Sequence, residues 1–194
     1  MGSTLIIDPT GELCIPIAIV YPLQGYTITG MKKDHELPFA IQAAVITVSS
    51  TRTTKNDTSG KTIRELLGNS GLPVNYYTIV PDSVEEIRRT LLEALRTNNC
   101  VIMNGGTGLT PDDCTIEAVS PLLERKIDGF GEIFRAKSMA EVGTAAMLSR
   151  AIAGITGGKV VFCIPGSTPA VTLATRDLIL PELRHILTHA QKHP

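Results

Sequence analysis

From about residue 41, short apolar runs alternate with segments whose apolar positions recur every three or four residues. Residues 43–48 (AAVITV) form a β-rich apolar run, ended by the polar stretch 49–56. Asp57-Thr58-Ser59-Gly60 then leads into a segment with Ile63, Leu66 and Leu67 on one helical face, ending near the glycines at 68 and 71. Residues 74–80 read as a second strand, halted by Pro81. Apolar residues at 84, 87, 91, 92 and 95 give residues 82–95 the spacing of a helix. A third strand is expected at 100–103, followed by Asn104-Gly105-Gly106-Thr107-Gly108. Helices are expected over 115–124 and 133–152, a last buried strand over 160–164, and a long helix over 170–190.

This alternation predicts βαβ units, and so a three-layer α/β fold: a mainly parallel sheet with helices on both faces. Residues 1–40 do not join the pattern and read as an N-terminal extension, with Met31-Lys32-Lys33-Asp34-His35 resembling a natural start. Residues 41–194 read as the α/β domain. In such sheets ligands bind beyond the carboxyl ends of the strands. One site is therefore expected, assembled from the loop 49–60, Pro81-Asp82, the loop 104–113 and Pro165-Gly166-Ser167.

Composition narrows the partners. Of 194 residues, 43% are hydrophobic and 19% charged, enough apolar material for a core and too little charge for disorder. A formal net charge of −1 argues against a nucleic-acid or anionic-membrane surface. A phosphate ligand would then rest on backbone amides, a few cations or a metal ion. The early apolar run 13–20 is broken by Pro16 and too short to span a bilayer, and no basic segment precedes it. The chain reads as cytoplasmic. Cys14, Cys100, Cys114 and Cys163 show no C-x-x-C spacing and are expected as thiols, not as a disulfide or a zinc site.

Gly105-Gly106-Thr107-Gly108 is the strongest chemical feature, because glycines let backbone amides approach an anion closely. It is not a Walker loop, since no Gly-Lys-Ser/Thr follows. Nor is it the dinucleotide fingerprint, whose third glycine would fall at Pro111. A plain turn capped by Asp112 or Asp113 fits the same residues. Asp82 has two readings as well: a helix cap with Glu85 reaching back, or a carboxylate holding a cation. Arg52 could clamp a phosphate through its planar fork, and Ser149-Arg150 sits where an arginine would favour a helix C-terminus. The histidines at 35, 185, 189 and 193 lie outside all four loops, and none is expected to act as a general base.

Taken in order, several short motifs resemble one known family. They are Ile46-Thr47-Val48-Ser49, Asp57-Thr58-Ser59-Gly60, Val80-Pro81-Asp82, Gly105-Gly106-Thr107-Gly108, Asp113-Cys114-Thr115, Gly129-Phe130-Gly131-Glu132, Leu148-Ser149-Arg150 and Pro165-Gly166-Ser167. The set resembles the molybdopterin-binding family, which includes molybdopterin adenylyltransferases and the N-terminal domain of gephyrin, over about residues 41–190, and the resemblance implies a Rossmann-like fold. The resemblance implies molybdenum or tungsten cofactor biosynthesis, with AMP transferred from Mg-ATP to molybdopterin and pyrophosphate released. It implies Asp82 and Asp113 as catalytic residues that hold Mg²⁺. It implies substrate contacts from Ser49, Arg52, Gly105, Gly106, Thr107, Gly108, Thr115, Ser149, Arg150, Pro165, Gly166 and Ser167. A homotrimer or higher homo-oligomer is expected, together with a metal-insertion partner protein.

Two other functions fit the same residues: a molybdopterin-binding or scaffolding protein without catalysis, and a relative acting on pyridine-nucleotide metabolites. Three positions depart from many members. Asp112 stands where many have Arg, Ser50 stands where many have Asp, and the second proline of Pro165-Gly166-Ser167-Thr168-Pro169 is shifted by one place.

Overall fold

The chain divides into two units, residues 1–34 and residues 35–194. The computed structural model describes residues 39–191 and, in the first unit, an antiparallel pair of two-residue strands, β1 (Ile6–Ile7) and β2 (Leu13–Cys14). The segment 31–35 read as a start, with His35 and His193, lies outside the described residues.

In the second unit, β3 (Ala43–Val48), α1 (Thr58–Asn69), β4 (Val74–Val80), α2 (Val84–Thr97) and β5 (Cys100–Asn104) follow the expected alternation. A short α3 (Thr115–Val119) passes into a 3₁₀ turn at Ser120–Leu122, where Pro121 ends the α-helical hydrogen bonding. Next come β6 (Arg125–Lys126), α4 (Asp128–Val142), β7 (Ile152–Thr156), β8 (Lys159–Ile164), α5 (Thr168–Ala174) and α6 (Leu180–Gln191). One turn of π-helix, Thr175–Ile179, joins α5 to α6 within the long helix expected there.

The strands form one sheet in the order β4-β3-β5-β8-β7-β6. The first four are parallel, and β7 and β6 are antiparallel to their neighbours. The parallel strands carry near-continuous apolar runs because helices cover both faces. Side chains alternate accordingly. Ala43 and Val45 pack with Ile63, Leu67, Phe130, Phe134 and Leu183 on one face. Ala44, Ile46 and Val48 pack with Ile87, Leu91, Ala94 and Ala118 on the other.

The segment 133–152 departs from expectation. Helix α4 stops at Val142 because Gly143 takes φ +59° at its C-terminus, where a glycine carries no Cβ penalty. A 3₁₀ turn, Gly143–Leu148, follows, and residues 152–156 are strand. That strand hairpins back to β8 through Gly157 and Gly158, both at positive φ, as a two-residue hairpin turn requires. Leu92, counted on the apolar face of α2, is 53% exposed; Thr90 and Ala94 occupy the buried stripe instead.

Candidate active site

Beyond the carboxyl ends of β3, β4, β5 and β8 the four expected loops do meet. The glycine loop leaves β5 with Gly105 at φ +100° and Gly106 at φ +61°. A Cβ on Gly105 would stand 2.2 Å from the Val48 carbonyl oxygen, and one on Gly106 would stand 2.4 Å from Thr115 Oγ1. Only glycine fits this packing. Thr115 pins the loop by donating its hydroxyl to the Gly105 carbonyl (2.8 Å) and its amide to that of Gly106 (3.0 Å). The Gly105 amide is spent on Ile164 (3.0 Å), whereas the Gly106 and Thr107 amides find no acceptor among the described residues. Two successive amides at such a bend form a small anion-binding concavity.

Asp82 and Asp113 flank this loop. Asp82 does not cap α2: Ser83 holds the cap position, and no side chain caps there. Asp82 Oδ2 instead accepts from both the amide and the hydroxyl of Ser50, each at 2.8 Å. Its Oδ1 lies 3.3 Å from where a Cβ on Gly106 would be. Asp113 Oδ2 accepts from the Thr110 amide (2.9 Å) and hydroxyl (2.6 Å), and lies 2.7 Å from a Cβ position on Gly108. Burial alone would raise the pKa of Asp113, but hydrogen bonds from Thr110 and from the Gly108 and Thr110 amides, with the charge of Arg150, hold it below the usual carboxylate range. Asp113 is thus an anion at neutral pH. Cys114, between these carboxylates and Glu117, has its pKa raised by burial and then by their charge, so it stays a neutral thiol.

A buried polar network, not anticipated from the sequence, underlies the site. Asp57 caps α1 by accepting from the Gly60 amide (3.0 Å), the one part of its role that its position before a helix signals. Its carboxylate also accepts from Thr47 Oγ1 (2.5 Å), Tyr77 Oη (2.7 Å) and Ser59 Oγ (3.0 Å). Desolvation works to raise the Asp57 pKa, yet these donors outweigh it and the net shift is downward. Burial, and then Asp57 itself, pushes Tyr77 up to about 12. Asn104, at the end of β5, ties Thr47 (2.9 Å) to Ser59 (2.8 Å). Thr47, Ser59 and Asn104 are all fully buried.

Arg52, expected as a phosphate clamp, directs its guanidinium into this network. Nη1 meets Asp57 (3.2 Å) and Ser59, and Nη2 donates to the Gly166 carbonyl (3.0 Å). One side chain therefore ties the loop after β3 to the loop after β8. A Cβ on Gly166 would stand 3.1 Å from Gly105 Cα, so Pro165-Gly166-Ser167 packs directly on the glycine loop. Ser167 caps α5, accepting from the Ala170 amide. Ser49 Oγ accepts from the Arg52 amide (3.2 Å), which shapes its own loop. Ser149 and Arg150 lie past the 3₁₀ turn, and Arg150 reaches the carbonyls of Gly108 and Asp113. Thr107 is buried in the loop. Arg52, Asp82, Asp113, Thr115, Arg150 and Gly166 thus meet at these loops, several of them bonded to each other.

Two open cavities lie among these loops, one at the ends of β3 and β4 and one beside residues 109–113. One, of about 440 Å³, is lined by Ser49, Ser50, Arg52, Tyr77 and Pro81 among others. Another, of about 370 Å³, is lined by Val84, Leu109, Pro111, Asp113, Glu117 and Arg150 among others.

A sequence profile described as a probable molybdopterin binding domain matches residues 44–185, which include every one of these loops. The chain belongs to this family. Molybdenum cofactor biosynthesis protein B of Bacillus cereus is 48% identical to it over 163 residues, covering 82% of this chain and 95% of that protein. A crystal structure of a molybdenum cofactor biosynthesis protein B superposes with a TM-score of 0.77 at 47% identity, covering 81% of this chain and 99% of that one. The tungsten cofactor synthesizing protein MoaB from Pyrococcus furiosus superposes with a TM-score of 0.74 at 41% identity, over 80% of this chain and all of that one. The family assignment places the protein in molybdenum or tungsten cofactor biosynthesis and the fold among the MoaB-like α/β proteins.

The described residues contain no group of three or more His, Cys, Asp or Glu placed to hold a metal ion. Mg²⁺ is commonly held by one or two carboxylates plus substrate phosphates and water, rather than by a cage made wholly of protein. Cys100, Cys114 and Cys163 are free thiols. His185 and His189 meet edge to face on α6, away from the loops. No helix among the described residues is long and apolar enough to cross a membrane.

Proposed function

We propose that the protein transfers AMP from Mg-ATP to the terminal phosphate of molybdopterin, releasing pyrophosphate. The observation that carries this reading is the pairing of two carboxylates with one glycine loop, Asp82 against Gly106 and Asp113 against Gly108. Asp82 Oδ1 and Asp113 would hold Mg²⁺, which when bound neutralises charge on the triphosphate. The unpaired amides of Gly106 and Thr107 supply donors for a phosphate oxygen. Arg52 and its network hold the loops after β3 and β8 in register, so catalysis is mainly positioning and charge neutralisation. Neither histidine nor thiol is needed to move a proton, because a phosphate monoester is already an anionic nucleophile at neutral pH.

A second reading, a molybdopterin-binding protein without transfer, is favoured by one observation. Ser50, where many relatives have a carboxylate, spends its amide and hydroxyl on Asp82 and leaves two carboxylates rather than three beside the loop. Pyrophosphate release from ATP and Mg²⁺, with and without molybdopterin, separates the two. Transfer predicts release that depends on molybdopterin; binding alone predicts none.

We propose further that the protein works as a homotrimer and passes its product to a metal-insertion partner protein in the cytoplasm. The support for assembly is the exposed apolar end of α4, where Met139 and Val142 lie one turn apart, and the turn after it with Met147 and Leu148; all four are more than half exposed. Apolar side chains left exposed in this way suit an interface.

A further inference from the structure

We propose that Arg150 is a positioning residue that closes the 108–113 loop and so fixes where Asp113 faces, with Glu117 holding the guanidinium in place. This rests on the reading of Asp113 as the residue that meets Mg-ATP.

The guanidinium makes four hydrogen bonds. Nε donates to the Gly108 carbonyl (2.7 Å), Nη2 to the Asp113 carbonyl (2.9 Å), and Nη1 and Nη2 both to the Glu117 carboxylate. Gly108 and Asp113 are the two ends of the loop, so one planar group spans its mouth. Within the loop, the Asp113 amide donates to the Thr110 carbonyl (3.0 Å), and Thr110 returns its own amide and hydroxyl to Asp113 Oδ2. The result is a small closed ring of backbone whose opening is spanned by Arg150. The Arg150 amide also donates to the Thr107 carbonyl (3.3 Å), which anchors the bridge to the start of the same loop.

Four of the five guanidinium N–H groups are committed to the protein, as befits a brace rather than a substrate clamp. Glu117 completes the arrangement, and Arg150 holds that carboxyl below its ordinary pKa by hydrogen bond and charge. An ammonium cannot replace this geometry. Its donors radiate from one atom, whereas the two carbonyls and the carboxylate are met by three separate nitrogens in a fixed plane. A group that instead bound substrate through its charge alone would tolerate lysine.

The test uses Arg150→Ala, Arg150→Lys and Glu117→Gln in the full chain, with steady-state kinetics, guanidinium rescue and amide hydrogen exchange. A positioning role predicts that Arg150→Ala melts near the parent and loses about 100-fold in kcat, the scale of a misplaced electrostatic group. KM for ATP should move far less. Arg150→Lys should fall nearly as far, and Glu117→Gln less, by roughly tenfold. Added guanidinium should recover part of kcat in Arg150→Ala and none in Arg150→Lys. Two results overturn the proposal: parent-like kcat in Arg150→Ala, or a raised KM for ATP at unchanged kcat, which marks a direct substrate contact. Amide exchange keeps the inference separate from the adenylylation reading. Should the parent itself show no transfer, faster exchange at residues 108–113 in Arg150→Ala and Glu117→Gln still supports the brace, and unchanged exchange refutes it.

Discussion

Ser50 and Asp82 hold each other through three hydrogen bonds. The Ser50 amide and hydroxyl both donate to Asp82 Oδ2 at 2.8 Å, and Ser50 Oγ accepts from the Asp82 amide at 3.1 Å. This pairing fixes one carboxylate oxygen and leaves the other beside Gly106.

Asp82→Asn keeps an acceptor for Ser50 but loses the charge that a hard cation demands. Because Asp82 does not cap α2, stability should change by less than about 1 kcal/mol, below the usual cost of a lost cap. Adenylyl transfer should fall by about two orders of magnitude or more. Melting curves and turnover of Asp82→Asn and Asp82→Ser check this, and full activity in both would remove Asp82 from the metal site.

The Asp57 network predicts a pH dependence of stability. The folded-state pKa of Asp57 lies below its unfolded value, so the ionised form stabilises the fold. That contribution is fully present above the unfolded carboxylate range and is lost as pH falls through the folded pKa. Asp57→Asn should cost about 2–3 kcal/mol at pH 7. This is less than the ~3–5 kcal/mol for a fully buried pair, because Arg52 keeps 30% of its side chain exposed. The gap between parent and variant melting temperatures should narrow below about pH 4. A gap that stays constant down to pH 2 would contradict the assignment.

Glycine substitutions should separate packing from turn geometry. Gly105, Gly106 and Gly143 all have positive φ, but nothing lies within 4 Å of a Cβ on Gly143. Gly143→Ala should cost about 1 kcal/mol for backbone strain alone. Gly105→Ala meets the Val48 carbonyl and should cost clearly more, with poor folding as the extreme. Gly106→Ala meets the buried Thr115 hydroxyl at a positive φ, so it should also cost stability, and where it folds its affinity for molybdopterin should be weakened. Calorimetric titration checks this; unchanged affinity would reduce the loop to a turn.

Much of this was legible from residue pattern. Strands β3 and β4 were bounded correctly, since a short apolar run ended by Ser49 or Pro81 admits few other readings. Strand β7 is not, because Ala153 and Gly154 break up its short Ile-Ala-Gly-Ile-Thr run and the apolar residues before it suit a helix. Gly157-Gly158 was the missed signal, a two-residue hairpin turn just before a strand that had been found. The loops of the site were recognisable because each ends a strand of one parallel sheet. Their internal wiring was not. Thr47, Tyr77 and Asn104 lie on three different strands, and their convergence on Asp57 or Ser59 depends on strand register, which no local pattern encodes.

Assembly is open to a direct check. The exposed apolar end of α4 and its following turn predict a trimer by light scattering, and Val142→Glu with Met147→Glu should yield monomers that keep the fold. A parent monomeric at every accessible concentration would contradict the trimer.

The central claim is that the two carboxylates at the glycine loop serve adenylyl transfer. Its most direct test is mass spectrometry of molybdopterin incubated with ATP, Mg²⁺ and either the parent protein or Asp113→Asn. The account predicts a product heavier by one adenylyl group, formed together with one pyrophosphate by the parent. Formation by Asp113→Asn should be slower by about 100-fold or more at unchanged fold. Molybdopterin that stays unmodified while binding the parent tightly would contradict it, and would mark the protein as a carrier of the pterin.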